Sequence, residues 1–181
     1  MGVAVIAAIL TLAGVLAISV IGKMRNRLSF EAFAEAVTEL RATSARWSRP
    51  VAAASIAAEA GVLALVLWPG SAVVGLAAAV LLFGVFTIVL AQAVRRGAPV
   101  GCHCFGPSDT PVAWRHVVRS ALLAGMAAGA LVAGLTLPAV SLTILEPPQF
   151  LVAFTIAAFI VTTLVRLDDL AWLLRGVPHT R

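Results

Sequence analysis

Apolar positions along this chain fall into five long runs separated by short polar or Pro- and Gly-rich breaks. The first, about 3–21, carries no charge and is followed by Lys23, Arg25 and Arg27. Basic residues after the apolar stretch, not before it, argue for a retained membrane helix over a cleaved signal peptide. The second run, about 50–68, is preceded by Arg46 and Arg49 and ends at a tight Pro69-Gly70 break. The third, about 71–94, is closed by Arg95-Arg96, so these two runs predict a helical hairpin. The fourth, 116–137, is entered from about Val112, after an N-cap residue and a first-turn proline at Thr110-Pro111. A loop with Pro138, Glu146, Pro147 and Pro148 leads to the fifth run, 149–165. That run is expected to continue as a surface helix through Leu174, with Asp168, Asp169 and Arg175 on its wet side. All five have about the length that a bilayer-spanning helix needs, roughly 17–25 residues.

The segment 28–43 has a different pattern. Phe30, Phe33, Val37 and Leu40 recur at helical spacing, while Glu31, Glu35, Glu39 and Arg41 occupy the other faces. This predicts a short amphipathic helix lying along the membrane surface or packed over the bundle. Ser29 is its expected N-cap, with Glu31 in the first turn.

Composition fits that reading. Apolar residues make up 61% of the 181 and charged residues only 12%, where a soluble domain averages roughly 25% charged. The expected fold is therefore an all-α, polytopic membrane helix bundle of five spans, formed by a single domain over 1–181. The net charge of +5 does not point to nucleic acid, because the basic residues sit at the ends of apolar segments. With the N-terminus outside, 21–50, 95–119 and the C-terminus face the cytoplasm, and these segments hold all 13 Lys and Arg. The loops on the other side hold none. This is the positive-inside asymmetry, and it places the only two cysteines, Cys102 and Cys104, at the cytoplasmic end unless their loop folds back into the membrane. Twelve of the 13 bases are Arg, and Ala, Val and Gly abound, which hints at a GC-rich bacterial genome. The expected location is a bacterial cytoplasmic membrane.

The segment Gly101-Cys102-His103-Cys104-Phe105-Gly106-Pro107 is the main candidate for chemistry. Two thiols one residue apart close a small, strained ring, and strain makes a disulfide easier to reduce. His103, Arg95, Arg96 and Arg115 lie nearby in sequence, and positive charge favours the reactive thiolate. The bland alternative is a pair of small apolar side chains capping a helix end. Metal binding is the weaker reading: Cys102, His103, Cys104 and His116 offer donors, but adjacent residues rarely converge on one ion and structural zinc needs four ligands. Glu59, near the middle of the second run, is expensive in hydrocarbon and normally faces the bundle interior. It is a candidate proton relay or a polar packing contact, and Arg119 is its candidate partner. Gln92 reads as interhelical packing glue. Trp47, Trp68, Trp114 and Trp172 all fall near span ends, where an aromatic belt belongs.

These residues give the chain a likeness to a known family. Cys102-His103-Cys104-Phe105-Gly106 between two apolar spans, the amphipathic segment around 30–40, Glu59 in the next span and the Trp114…Arg119 stretch resemble the MauE family of bacterial membrane proteins, grouped with DoxX-like proteins. The likeness extends over about 3–164. It implies a four-helix membrane core, here with one additional span. It also implies a role beside a thioredoxin-like partner in maturing methylamine dehydrogenase, whose small subunit needs several disulfides. His103 stands where the family more usually has Gly, and Ser120 where Asn is expected.

The expected function is a membrane thiol–disulfide relay that uses Cys102 and Cys104, with His103, Glu59 and Arg119 as supporting residues. Its expected partners are a thioredoxin-like or exported client protein and the lipid bilayer, not nucleic acid. No motif marks nucleotide, haem or flavin binding, so no cofactor and no metal are expected. A non-enzymatic scaffold or chaperone subunit is the main alternative. A small transporter, suggested by Glu59 and Gln92 in the membrane, is a third reading, weakened by there being only five spans and no detectable internal repeat. One tension remains within this reading: disulfides of exported enzymes form outside the cytoplasm, whereas the charges put the cysteine loop inside. A re-entrant loop, a relay across the bilayer or an inverted topology would each resolve it, and the charge pattern is the stronger guide.

Overall fold

The computed structural model describes residues 2–40, 44–68, 70–97, 113–136 and 147–165. In chain order the helices are α1 (Gly2–Met24), α2 (Arg27–Glu39), a single 3-10 turn (Ala45–Trp47), α3 (Ser48–Leu67), α4 (Ala72–Arg95), α5 (Trp114–Thr136) and α6 (Pro147–Val165). The described residues are all-helical, and five helices, all but α2, are long and apolar enough to cross a membrane. At about 1.5 Å rise per residue, 20 residues cover the roughly 30 Å hydrocarbon core. The loop 98–112 with Cys102, His103 and Cys104, the Thr110-Pro111 cap, the loop after α5, and Asp168, Asp169, Trp172 and Arg175 lie outside the described residues.

Helix α1 packs against α3 and α5, and α4 packs against the same two, so α1, α3, α4 and α5 form a closed four-helix ring. Helix α6 rests on α1, outside that ring. Leu12, Leu16, Val66, Leu76, Ala79 and Ala127 fill the centre and are at most 2% exposed. Ala79 of α4 and Ala127 of α5 are fully buried, and such small residues let apolar helices approach closely where the hydrophobic effect gives no drive between them. Outward-facing residues such as Leu81, Leu151 and Phe159 leave an apolar perimeter suited to lipid. Trp47, Trp68 and Trp114 are exposed near helix ends.

The hairpin of α3 and α4 turns tightly for local reasons. Gly70 adopts φ +89°, a left-handed conformation open mainly to glycine. The Ser71 hydroxyl donates to the Leu65 carbonyl at 2.8 Å and ties the turn to the end of α3. One turn into α4, Gly75 meets α3 so closely that a Cβ there would lie 2.6 Å from the Val66 nitrogen.

The amphipathic helix forms, but with a different start. Asn26, not Ser29, is its N-cap: the Asn26 side chain accepts from the Ser29 N–H at 2.7 Å. Ser29 is instead buried in the first turn. Asn26 is extended (φ −157°), the conformation from which a short polar side chain can reach the third amide of the helix. Ala34, Ala36 and Val37 make the buried face of α2, which packs against α3 and α1. Glu31 forms an exposed ion pair with Arg49 at 3.1 Å, a contact typically worth about 0–1 kcal/mol. Gln92 is also corrected: it is exposed and accepts from Arg96, one turn along its own helix, at 3.3 Å.

Candidate functional site

The site is built on an ion pair inside the bundle. Glu59 lies near the middle of α3 and is fully buried, where an unpaired carboxylate would be strongly unfavourable. Its Oε1 accepts from the Lys23 ammonium of α1, which is 2% exposed. The Lys23 Nζ also sits 4.4 Å from the centre of the Phe33 ring of α2 and 5.7 Å from that of Phe86 of α4. These are cation–π distances, so four helices converge on one ammonium group. The surface helix is therefore fixed in part by the charge it covers.

Lys23 corrects two expectations. The partner found for Glu59 is Lys23, whereas Arg119 donates to the Leu164 carbonyl near the end of α6 at 3.4 Å. Lys23 also reads from the sequence as a flanking topology charge, yet it turns inward. The signal that reveals it is helical register. Leu12, Leu16, Ser19 and Lys23 follow one another at intervals of three and four, so they share a face, and all four are buried. Arg119 is buried as well, at 5% exposure.

Beside the pair lies a cavity of about 440 Å³. Glu59, Lys23 and Arg119 all line it, together with Ser55 and Ser120, so the cavity brings the sequence-derived candidates Glu59 and Arg119 to one space. Phe33, Phe83 and Phe86 supply aromatic wall. Two buried polar atoms have no hydrogen-bond partner among the described residues, Glu59 Oε2 and Ser55 Oγ. They are one turn apart on α3 and line the same cavity. The cavity lies toward the bundle end where α1 and α4 finish and α3 and α5 begin. The segment with Cys102, His103 and Cys104 is the connection between α4 and α5.

His116, weighed as a metal donor, is buried in the first turn of α5. Its Nδ1 lies 3.1 Å from the Ala113 nitrogen and accepts from that N–H, satisfying one of the free amides at the helix start. That nitrogen thus has a structural task at the head of the helix that carries Arg119.

No curated protein and no solved structure matches this chain. A family model does match, described as methylamine utilisation protein MauE, over residues 1–134. The match covers α1 to α5 apart from the last residues of α5, so α6 lies beyond it, and it ends short of the 164 expected from the sequence. It includes the cysteine segment, Glu59, Lys23 and Arg119. With well over half of its length matched, this chain of five bilayer-length helices belongs to the MauE family.

Proposed function

We propose that this protein is an integral membrane thiol–disulfide redox protein that assists disulfide formation or maturation of a partner, with Cys102 and Cys104 as its redox pair. The observation carrying this reading is the family match, which spans the cysteine segment and bears a methylamine-utilisation description. The chemistry is exchange. A thiolate attacks a disulfide sulfur, a mixed disulfide forms, and the second thiolate of the attacking pair displaces the first partner sulfur. One pair loses two electrons and two protons as the other gains them, so no further oxidant is consumed in the exchange. The partners in this reading are a thioredoxin-like protein and an exported client. His103 and the neighbouring arginines favour the thiolate, and Glu59, paired with Lys23 inside the bundle, is the candidate proton relay of this reading.

The positive-inside pattern supports a cytoplasmic-membrane protein with its N-terminus outside and its cysteine loop and C-terminus on the cytoplasmic side. Setting Lys23 and Arg119 aside as buried leaves that asymmetry intact, since the opposite loops still hold no base. In this reading the pair exchanges by contact with a thioredoxin-like partner at the cytoplasmic end, and a re-entrant loop brings it within reach of an exported client. The test is a maturation assay for the client with Cys102→Ser and Cys104→Ser combined. Loss of client disulfides with normal membrane insertion is the expected result. Full activity of the double variant, with stoichiometric co-purification of a client, would replace the redox reading by a scaffold.

A further inference from the structure

We propose that the cavity among α1, α2, α3, α4 and α5 binds a membrane-soluble aromatic hydroxyl compound, of the quinol or phenol class, whose O–H donates to Glu59 Oε2. The starting point is an imbalance inside the bundle. Lys23 satisfies one oxygen of the Glu59 carboxylate, and the other, although fully buried, accepts no hydrogen bond among the described residues. A buried acceptor on a charged group is costly to leave unmade. Ser55 Oγ, one turn earlier on the same face, is in the same condition. Both atoms line a space of about 440 Å³, within the roughly 300–1,000 Å³ typical of small-molecule pockets.

The lining selects the ligand's chemistry. Most of the wall is apolar, with Phe33, Phe83, Phe86 and Leu123 among its residues, so a strongly hydrated ligand is excluded and a flat apolar body is favoured. The unmet need is for a donor facing a carboxylate, which disfavours a fatty acid or a phospholipid phosphate, because either would bring a second anion to Glu59 Oε2. On the α5 wall, Arg119 and Ser120 carry donor groups. An aromatic ring bearing a hydroxyl meets the need at Glu59 Oε2, and a second oxygen across the ring faces the α5 wall. The inference concerns binding only and is independent of the cysteines, so it stands or falls separately from the redox reading.

The test uses the full chain purified into lipid nanodiscs, with a short-tailed ubiquinol analogue kept reduced as the probe. Its dimethyl ether, of similar shape but without an O–H, is the control, and an alcohol of matched tail length tests the need for a ring. We expect saturable binding of the quinol at one per chain, with the ether and the alcohol each weaker by about tenfold or more. Ser55→Leu fills the cavity without breaking the ion pair, so it should keep its helicity and lose quinol binding by a similar factor. The Cys102→Ser, Cys104→Ser variant should bind the quinol as the native chain does. Equal uptake of quinol and ether, no saturation, or a folded Ser55→Leu protein with native affinity would each overturn the proposal. The first two results would leave the space to water or lipid tails, and the third would place quinol binding elsewhere on the protein.

Discussion

Lys23, in the last turn of α1, reaches back into the bundle to form a buried ion pair with Glu59, half-way along α3. The relationship runs against the usual behaviour of a lysine at a helix end, which extends its ammonium toward water. Here the carboxylate and two aromatic faces hold the charge inside. Removing either partner leaves an uncompensated buried charge, which typically destabilises by about 3–5 kcal/mol. Lys23→Met and Glu59→Leu should therefore each lower thermal stability in detergent, and the two together should restore much of the loss. A double variant less stable than both singles would show that the pair does not act as a unit.

Phe33 connects the surface helix to that charge. Replacing it by Leu keeps an apolar contact but removes the ring face 4.4 Å from the Lys23 Nζ. A desolvated cation–π contact of this kind is worth roughly 1–2 kcal/mol. Amide hydrogen exchange in α2 should accelerate in Phe33→Leu and stay near native in Phe33→Trp, which retains an aromatic face. Equal exchange in the two variants would mean that packing alone holds the helix down.

The α3–α4 hairpin depends on the missing side chain of Gly75. A Cβ there would meet backbone atoms of Val66 and Leu65 at 2.6 and 2.7 Å, and backbone cannot give way as a flexible side chain can. Gly75→Ala should destabilise the protein by about 1–3 kcal/mol, the usual range for overpacking. Gly61, in the helix that Gly75 touches, has open space where its Cβ would be. Gly61→Ala is the matched control and should be neutral or mildly stabilising, because alanine is the better helix former. Unfolding midpoints for the two variants give the comparison directly.

Much of this architecture is legible in the chain because lipid imposes a simple rule: a spanning segment must be long, apolar and helical. The five runs follow from that rule, the amphipathic segment from the helical spacing of its apolar residues, and Glu59 stands out as a charge inside an apolar run. Lys23 is harder to see because a base at the end of such a run is ordinary. Only its register with Leu12, Leu16 and Ser19 separates it from Arg25 and Arg27, which are exposed. The expectation that Ser29 caps α2 fails because Asn26, three residues earlier, takes that place. Both are good capping residues, and backbone conformation decides between them. Gln92 reads as glue between helices because an amide near a span end has two ways to be satisfied, and Arg96 one turn later provides the local one. The cysteine motif is plain in the sequence, but what it does is a matter of chemistry and exchange partners that local pattern does not encode.

Thiol labelling tests whether Cys102 and Cys104 form a redox pair reached from the cytoplasmic side or held within the bilayer. A membrane-impermeant maleimide is applied to intact cells and to lysed cells, each with and without prior reduction. Labelling is expected only in lysed cells after reduction, the signature of a disulfide shielded from the outside. Labelling in intact cells would contradict the topology, and thiols that label in lysed cells without reduction and stay reduced under oxidant would contradict the redox pair itself.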